Sequence, residues 1–275
     1  MKLGLALGGG GARGAAHIGV LKALERLGIK PDLITGTSAG GVVGALLAAD
    51  YTVEEMIHFF QQSNMSQMFA MPTGVPAFSG NSKIERLLEE TFGQITFADL
   101  KIPLSLVTAD LVSRKEVILD EGDLISALLA TTALPILLPP VERDKLVLVD
   151  GGILNNVPFD IARARGATTV IAVALSNTAP YGTPSESEAP GTGMVSKVLN
   201  VTRRRPTFQI LSTVADIITE QSFNARLAVS QPELLLRPKL GTMGLFDFHN
   251  WEMGVKAGEA AVEEVEDRLI ELMRR

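Results

Sequence analysis

The stretch Ile34-Thr35-Gly36-Thr37-Ser38-Ala39-Gly40-Gly41 decides how the chain reads, and residues 36–40 within it spell G-x-S-x-G. The apolar pair Leu33-Ile34 before it reads as the end of a buried strand, and residues 42–49 after it read as a helix. A serine on such a sharp strand-to-helix turn is held in a strained backbone with its Oγ clear of the sheet. The helix N-terminus behind it favours developing negative charge. A Gly/Ser-rich turn without chemistry could carry the same five residues, so the neighbouring stretches have to discriminate.

Upstream, residues 3–7 form a short apolar run bounded by glycine, the pattern of a buried parallel strand. Gly8-Gly9-Gly10-Gly11-Ala12-Arg13-Gly14 follows, then a helix over 15–27 with Ile18, Leu21, Leu24 and Leu27 on one stripe and Gly28 as its cap. Gly9-x-Gly11-x-x-Gly14 matches the dinucleotide-binding fingerprint, which needs an acidic residue near the end of the second strand to hold a ribose. Asp32 stands at the start of that strand, and Gly36-Thr37-Ser38 occupies its end. The loop has another physical use. Consecutive glycines let backbone N–H groups converge into an anion-binding nest, and beside a nucleophilic serine such a nest is an oxyanion hole.

Downstream, Thr52 or Asp50 caps a helix over 53–63. Residues 64–82, with Met65, Met68, Met71, Phe69 and Phe78, read as a mobile lid over an apolar pocket. A helix is expected over 83–92, strands over 104–111 and 116–119, and a helix over 124–132 capped by Asp123. Residues 133–140, with Pro135, Pro139 and Pro140, read as a rigid apolar wall. A strand over 145–149 ends in Asp150-Gly151-Gly152, and Asn155-Asn156-Val157-Pro158 opens a helix reaching Arg165. A strand over 168–175 precedes a Pro/Gly/Ser-rich excursion at 177–193. Helices over 194–202, 208–230 and 251 onward follow, with a short strand at 233–237. Arg203-Arg204-Arg205 is the one basic cluster, read as a solvated helix end rather than an anionic-lipid contact. Strands alternating with helices indicate an α/β fold: a mainly parallel central sheet with helices on both faces, in a single domain over 1–275.

The bulk composition narrows the function. The 275 residues carry a net charge of −6, without the basic footprint of a nucleic-acid binder. There is no cysteine, and the three histidines, at 17, 58 and 249, are scattered, so disulfides, thiolate metal sites and a His-rich metal site are not expected. The uncharged runs 33–49 and 124–141 are broken by glycines and prolines and read as core rather than membrane spans, and the N-terminal apolar run is too short for a signal peptide. A soluble, cytoplasmic protein, with at most peripheral membrane contact, is the expectation.

The glycine nest, G-x-S-x-G and Asp150-Gly151-Gly152 each follow an apolar strand, so all three can converge on one crevice. Together they resemble the patatin-like phospholipase family. Ala16-His17-Ile18-Gly19-Val20-Leu21, Thr131-Thr132-Ala133-Leu134-Pro135 and Asn156-Val157-Pro158 are also similar to its bacterial members, and the resemblance covers residues 3–175. It implies a three-layer α/β/α fold and a lipid acyl hydrolase of phospholipids, lysophospholipids or glycerides that needs no metal or cofactor. By the same resemblance Ser38 is the nucleophile, Asp150 its general base, and Gly9, Gly10 and Gly11 supply the oxyanion-hole donors. Arg13, Gly14, Gly36, Gly40, Gly151 and Gly152 support the motifs. An ordinary α/β-hydrolase runs Ser, Asp/Glu, His. Here the only histidine after Asp150 is His249, His17 reads as a helix residue beside the glycine loop, and His58 as a surface or satisfied helix residue. A dinucleotide-binding protein and a catalytically silent lipid-binding protein of the same fold are the alternatives.

Overall fold

The computed structural model describes residues 1–62, 81–135, 137–176 and 206–274. The expected lid up to residue 80, the excursion, the 194–202 helix and Arg203-Arg204-Arg205 lie outside the described residues. Eight strands form one sheet: β1 (Leu3–Leu7), β2 (Leu33–Thr37), β3 (Leu104–Asp110), β4 (Lys115–Leu119), β5 (Val141–Arg143), β6 (Leu146–Asp150), β7 (Thr169–Val173) and β8 (Leu234–Leu236). The described helices are α1 (Ala15–Arg26), α2 (Ala39–Ala48), α3 (Val53–Gln62), α4 (Asn81–Phe92), α5 (Leu124–Thr132), α6 (Phe159–Ala164), α7 (Pro206–Val229), α8 (Trp251–Glu263) and α9 (Glu266–Met273). Among the described residues, no helix is long and apolar enough to cross a membrane.

The central strands are buried on both faces, and their side chains alternate between two cores. Leu3, Leu5 and Leu7 of β1 pack with α1, α2, α5 and α8. Ala6 of the same strand faces Phe159 and Ala162 of α6 and Phe223 of α7. These are the outer layers of a three-layer α/β/α sandwich. Helix α8 lies close on α1, because an added Cβ at Gly19 would sit 1.9 Å from the Val255 carbonyl oxygen and one at Gly258 1.9 Å from that of Ala16.

Strands β3, β2, β1, β7 and β8 pair in parallel in that order. Strands β4, β5 and β6 are the antiparallel part, and the strand expected over 145–149 is β6 within it. Strand β5 follows directly on the expected apolar wall: Val141-Glu142-Arg143 pairs with β6 through a tight turn at Asp144 and Lys145, both at positive φ (49° and 69°). Lys145 is thus a turn residue, not the first of a strand.

The registers around β3 position the site. Strand β4 follows one edge of β3 over Leu106–Asp110. The other edge is shared end to end. Strand β2 runs parallel to β3 and stops with Thr37 opposite Val107. Strand β6 runs the opposite way and stops with Asp150 opposite Thr108. The C-terminal ends of β2 and β6 therefore meet head to head, which brings Ser38 and Asp150 together across 112 residues of chain.

Candidate active site

Ser38 caps α2 at φ 54°, ψ −124°, a region that L-residues rarely occupy and that persists only where the surroundings impose it. The small residues around it are required by contact. A Cβ at Gly40 would sit 2.2 Å from the Leu7 carbonyl oxygen, and one at Gly36 would sit 2.7 Å from Gly41 Cα, so α2 can close onto the sheet only with glycine there. Gly14 abuts Ala39 in the same way. Ser38 is 8% exposed.

Asp150 ends β6 at 3% exposure. Its Oδ1 accepts the Gly152 N–H at 2.8 Å, while the buried Oδ2 has no hydrogen-bond partner. Burial pushes this carboxyl up to about 6 from an ordinary 3.8, and the Ser38 hydroxyl and the Gly152 N–H offset only part of that rise. Gly151 has to be glycine because a Cβ there would meet the Val107 carbonyl at 2.6 Å.

The glycine loop passes over both residues. The Gly8 and Gly9 N–H groups donate to the carbonyls of Val173 (3.0 Å) and Asn156 (3.1 Å). Gly9 is thus committed to the fold, a correction to its expected place among the oxyanion donors. Among the described residues, the N–H groups of Gly10 and Gly11 have no partner, and both residues line the pocket. Gly11 sits at φ 56°, where a side chain is strained and a Cβ would meet the Leu245 carbonyl oxygen at 2.3 Å. Arg13 shapes the loop from beneath. Buried to 2% exposure, it donates to the carbonyls of Gly10 (3.3 Å) and Leu175 (3.1 Å) and to Asp216 of α7 (3.2 Å).

These groups open into a cavity of about 330 Å³ whose walls are mostly apolar. Leu134, Pro135 and Leu137 form one wall, as the proline-rich stretch suggested. The opposite wall, Val214 and Ile218 of α7 with Leu245 and Phe246, carried no signal in the sequence. No described residue lining the cavity is a histidine. Buried His17 donates Nε2–H to the Gly8 carbonyl at 2.7 Å, and burial lowers it to about 4, so it is neutral and structural at physiological pH. His249 is exposed.

Two further residues hold the site. Asn156, quoted above only for its similarity, accepts the Gly9 N–H on its carbonyl and donates Nδ2 to the Gly9 carbonyl at 3.4 Å, pinning the glycine loop to the Asp150 turn. Thr131 contacts the Ser38 backbone. Asp32 is occupied elsewhere: its Oδ2 accepts the Leu3 N–H at 2.6 Å, at the N-terminal end of β1 and away from the glycine loop. Asp32 therefore does not serve as the acidic ribose ligand of a dinucleotide fingerprint.

The chain is similar to known proteins in both sequence and fold. The chain matches the patatin-like phospholipase family model over residues 5–163. It is 36% identical over 179 residues to patatin-like phospholipase domain-containing protein 6 of Homo sapiens, covering 62% of this chain and 13% of that protein. To lysophospholipase NTE1 of Saccharomyces cerevisiae it is 34% identical over 190 residues, covering 67% and 11%. To an uncharacterized NTE family protein of Mycobacterium tuberculosis it is 28% identical over 274 residues, covering 94% and 45%. The chain thus spans less than half the length of these relatives. Among solved structures, VipD from Legionella pneumophila has the same fold, with a TM-score of 0.56 at 14% identity over 97% of this chain and 66% of that one. By sequence and fold, then, the chain belongs to the patatin-like phospholipase family.

Proposed function

We propose that this chain is a serine hydrolase of lipid carboxylic esters, working through a Ser38–Asp150 dyad. The observation that carries the reading is the bare Oδ2 of Asp150. It is a buried, raised-pKa carboxylate oxygen beside a strained serine, in an apolar pocket roofed by two unpartnered N–H groups. A buried polar atom without a partner is rare and calls for a reason. Accepting a proton from Ser38 Oγ supplies one.

The reaction runs in two halves. Ser38 Oγ attacks the acyl carbon as Asp150 takes its proton, and the N–H groups of Gly10 and Gly11 stabilise the oxyanion that forms. Collapse expels the alcohol, which recovers the proton from Asp150, and leaves an acyl-Ser38 ester. Water, deprotonated by Asp150, then releases the fatty acid and restores the serine. The acyl chain lies between the 134–137 wall and α7. Ile210, Val214, Ile217 and Ile218 leave an exposed apolar stripe on α7, and two of the four also line the pocket, so the lipid enters across this helix from a membrane or micelle surface.

The test is a hydrolysis panel of short and long p-nitrophenyl esters, phospholipid, lysophospholipid and triglyceride, combined with fluorophosphonate labelling read by mass spectrometry. The expected result is hydrolysis with the adduct on Ser38, both absent in Ser38→Ala. An adduct elsewhere, or an active Ser38→Ala, sinks the dyad.

A further inference from the structure

A short segment at the end of α5, residues 131–133, holds the backbone of both members of the dyad. The Thr131 hydroxyl accepts the Ser38 N–H at 2.9 Å and donates to the Val107 carbonyl at 2.7 Å. Two residues on, the Ala133 carbonyl accepts the Asp150 N–H at 3.0 Å. The chain then turns directly into the apolar wall at Leu134 and Pro135.

The register explains why a hydroxyl is needed. Along β3, β2 stops opposite Val107 and β6 stops opposite Thr108, so neither strand continues the ladder across the junction. The Thr131 side chain fills the junction, buried to 0% exposure. Its hydrogen-bond direction is determined. An amide N–H can only donate, so the hydroxyl accepts from Ser38, and its single proton goes to the Val107 carbonyl. Thr131 has no proton left for Ser38 Oγ or Asp150 and is no relay. What it controls is where the Ser38 backbone sits, at a φ that unconstrained chain would leave.

We propose that Thr131 is a positioning residue for the reaction: its hydroxyl bridges the ends of β2 and β6 and holds Ser38 in the geometry from which Oγ reaches both substrate and Asp150. This rests on the reading of Ser38 as the nucleophile. Displacing a nucleophile by about an ångström costs on the order of a hundredfold in rate, while leaving substrate affinity largely intact.

Thr131→Val keeps the shape and removes the hydroxyl, and Thr131→Ser keeps the hydroxyl. Kinetics on a soluble short-chain p-nitrophenyl ester and the rate of fluorophosphonate labelling of Ser38 are measured alongside thermal unfolding. For Thr131→Val, kcat and the labelling rate are expected to fall together, on the order of tenfold to a hundredfold. KM and the pH below which kcat falls should stay, and Thr131→Ser should recover most of the rate. A folded Thr131→Val that labels Ser38 at the wild-type rate overturns the proposal, as does a folded Thr131→Ser as slow as the valine variant. If Thr131→Val does not fold, Thr131→Cys replaces it, and labelling of that variant as fast as the serine variant is equally fatal. Failure of the underlying reading looks different: the wild-type protein itself then carries its adduct away from Ser38.

Discussion

Asp110 and Asp150 end neighbouring antiparallel strands, two register positions apart, and are about equally covered, at 2% and 3% exposure. Their carboxyls nevertheless move in opposite directions. Asp110 closes the β3–β4 hairpin and accepts the N–H groups of Val112, Ser113 and Val147. The Ser113 hydroxyl, then its N–H and that of Val147, hold Asp110 down to about 2. These donors outweigh the effect of desolvation there. Asp150 accepts a single N–H, and burial carries it up to about 6. The donors offered to Asp110 and the desolvation of Asp150 send the two carboxyls apart. A carboxylate with every lone pair satisfied is a poor base, and one left short of partners keeps its affinity for a proton.

The largest expected effect is at Asp150. Asp150→Asn keeps the shape and an acceptor for Gly152 but removes the base, so kcat should fall on the order of 10²–10⁴, with the fold intact by circular dichroism. A variant that retains most of its kcat would erase the contrast.

The pH profile comes next. The base must be ionised, so kcat should hold above about 6 and fall about tenfold per unit below it. A plateau extending down to about pH 4, near the value of an unshifted aspartate, would mean that burial does not tune the base.

Stability sharpens the same comparison. A carboxyl raised in the folded state contributes stability below its unfolded value of 3.8, and that contribution is lost as pH rises through about 6. Asp150→Asn should therefore be more stable than wild type at pH 8, by up to about 3 kcal/mol. His17, lowered from 6.5 to about 4, has the opposite slope, its stability present above 6.5 and lost as pH falls through about 4. The two slopes oppose each other in the wild type. Urea midpoints across this range should fall more steeply with acid in Asp150→Asn, and parallel curves would count against the Asp150 assignment.

The smallest effect on turnover belongs to Asp110. Its carboxyl is depressed, so its stabilisation is present above the ordinary 3.8 and lost as pH falls through about 2. Asp110→Asn should lower the urea midpoint at neutral pH and leave kcat at the wild-type level. A large loss of kcat in a folded variant would place Asp110 in the reaction and break the comparison from the other side.

Much of this was legible from the residues alone. Apolar runs bounded by glycine located β1 and β2, the G-x-S-x-G turn located Ser38, and Asp150-Gly151-Gly152 stood at a strand end. Local rules suffice there, because a buried parallel strand needs a continuous apolar run and a close approach of backbones excludes a Cβ. Capping was equally readable. Asp123 accepts the Ser126 N–H at the start of α5, and Thr52, not Asp50, forms the box with Glu55 at α3. The brief strand β5 was not readable, since three residues after Pro139-Pro140 leave no period to count.

The sequence by itself determined the candidate chemical groups and the parallel α/β frame that carries them. Only the tertiary structure decided that β6 runs against β3, so that its end meets that of β2 and delivers Asp150 to Ser38. It also decided that Gly9 spends its N–H on Asn156 while Gly10 and Gly11 keep theirs, that Thr131 spans the junction, and that α7 walls the pocket from more than 170 residues away. The physical reason is common to all of these. Propensity and spacing act between neighbours in the chain, whereas a hydrogen-bond donor's partner is chosen by strand direction and register between segments far apart in the chain.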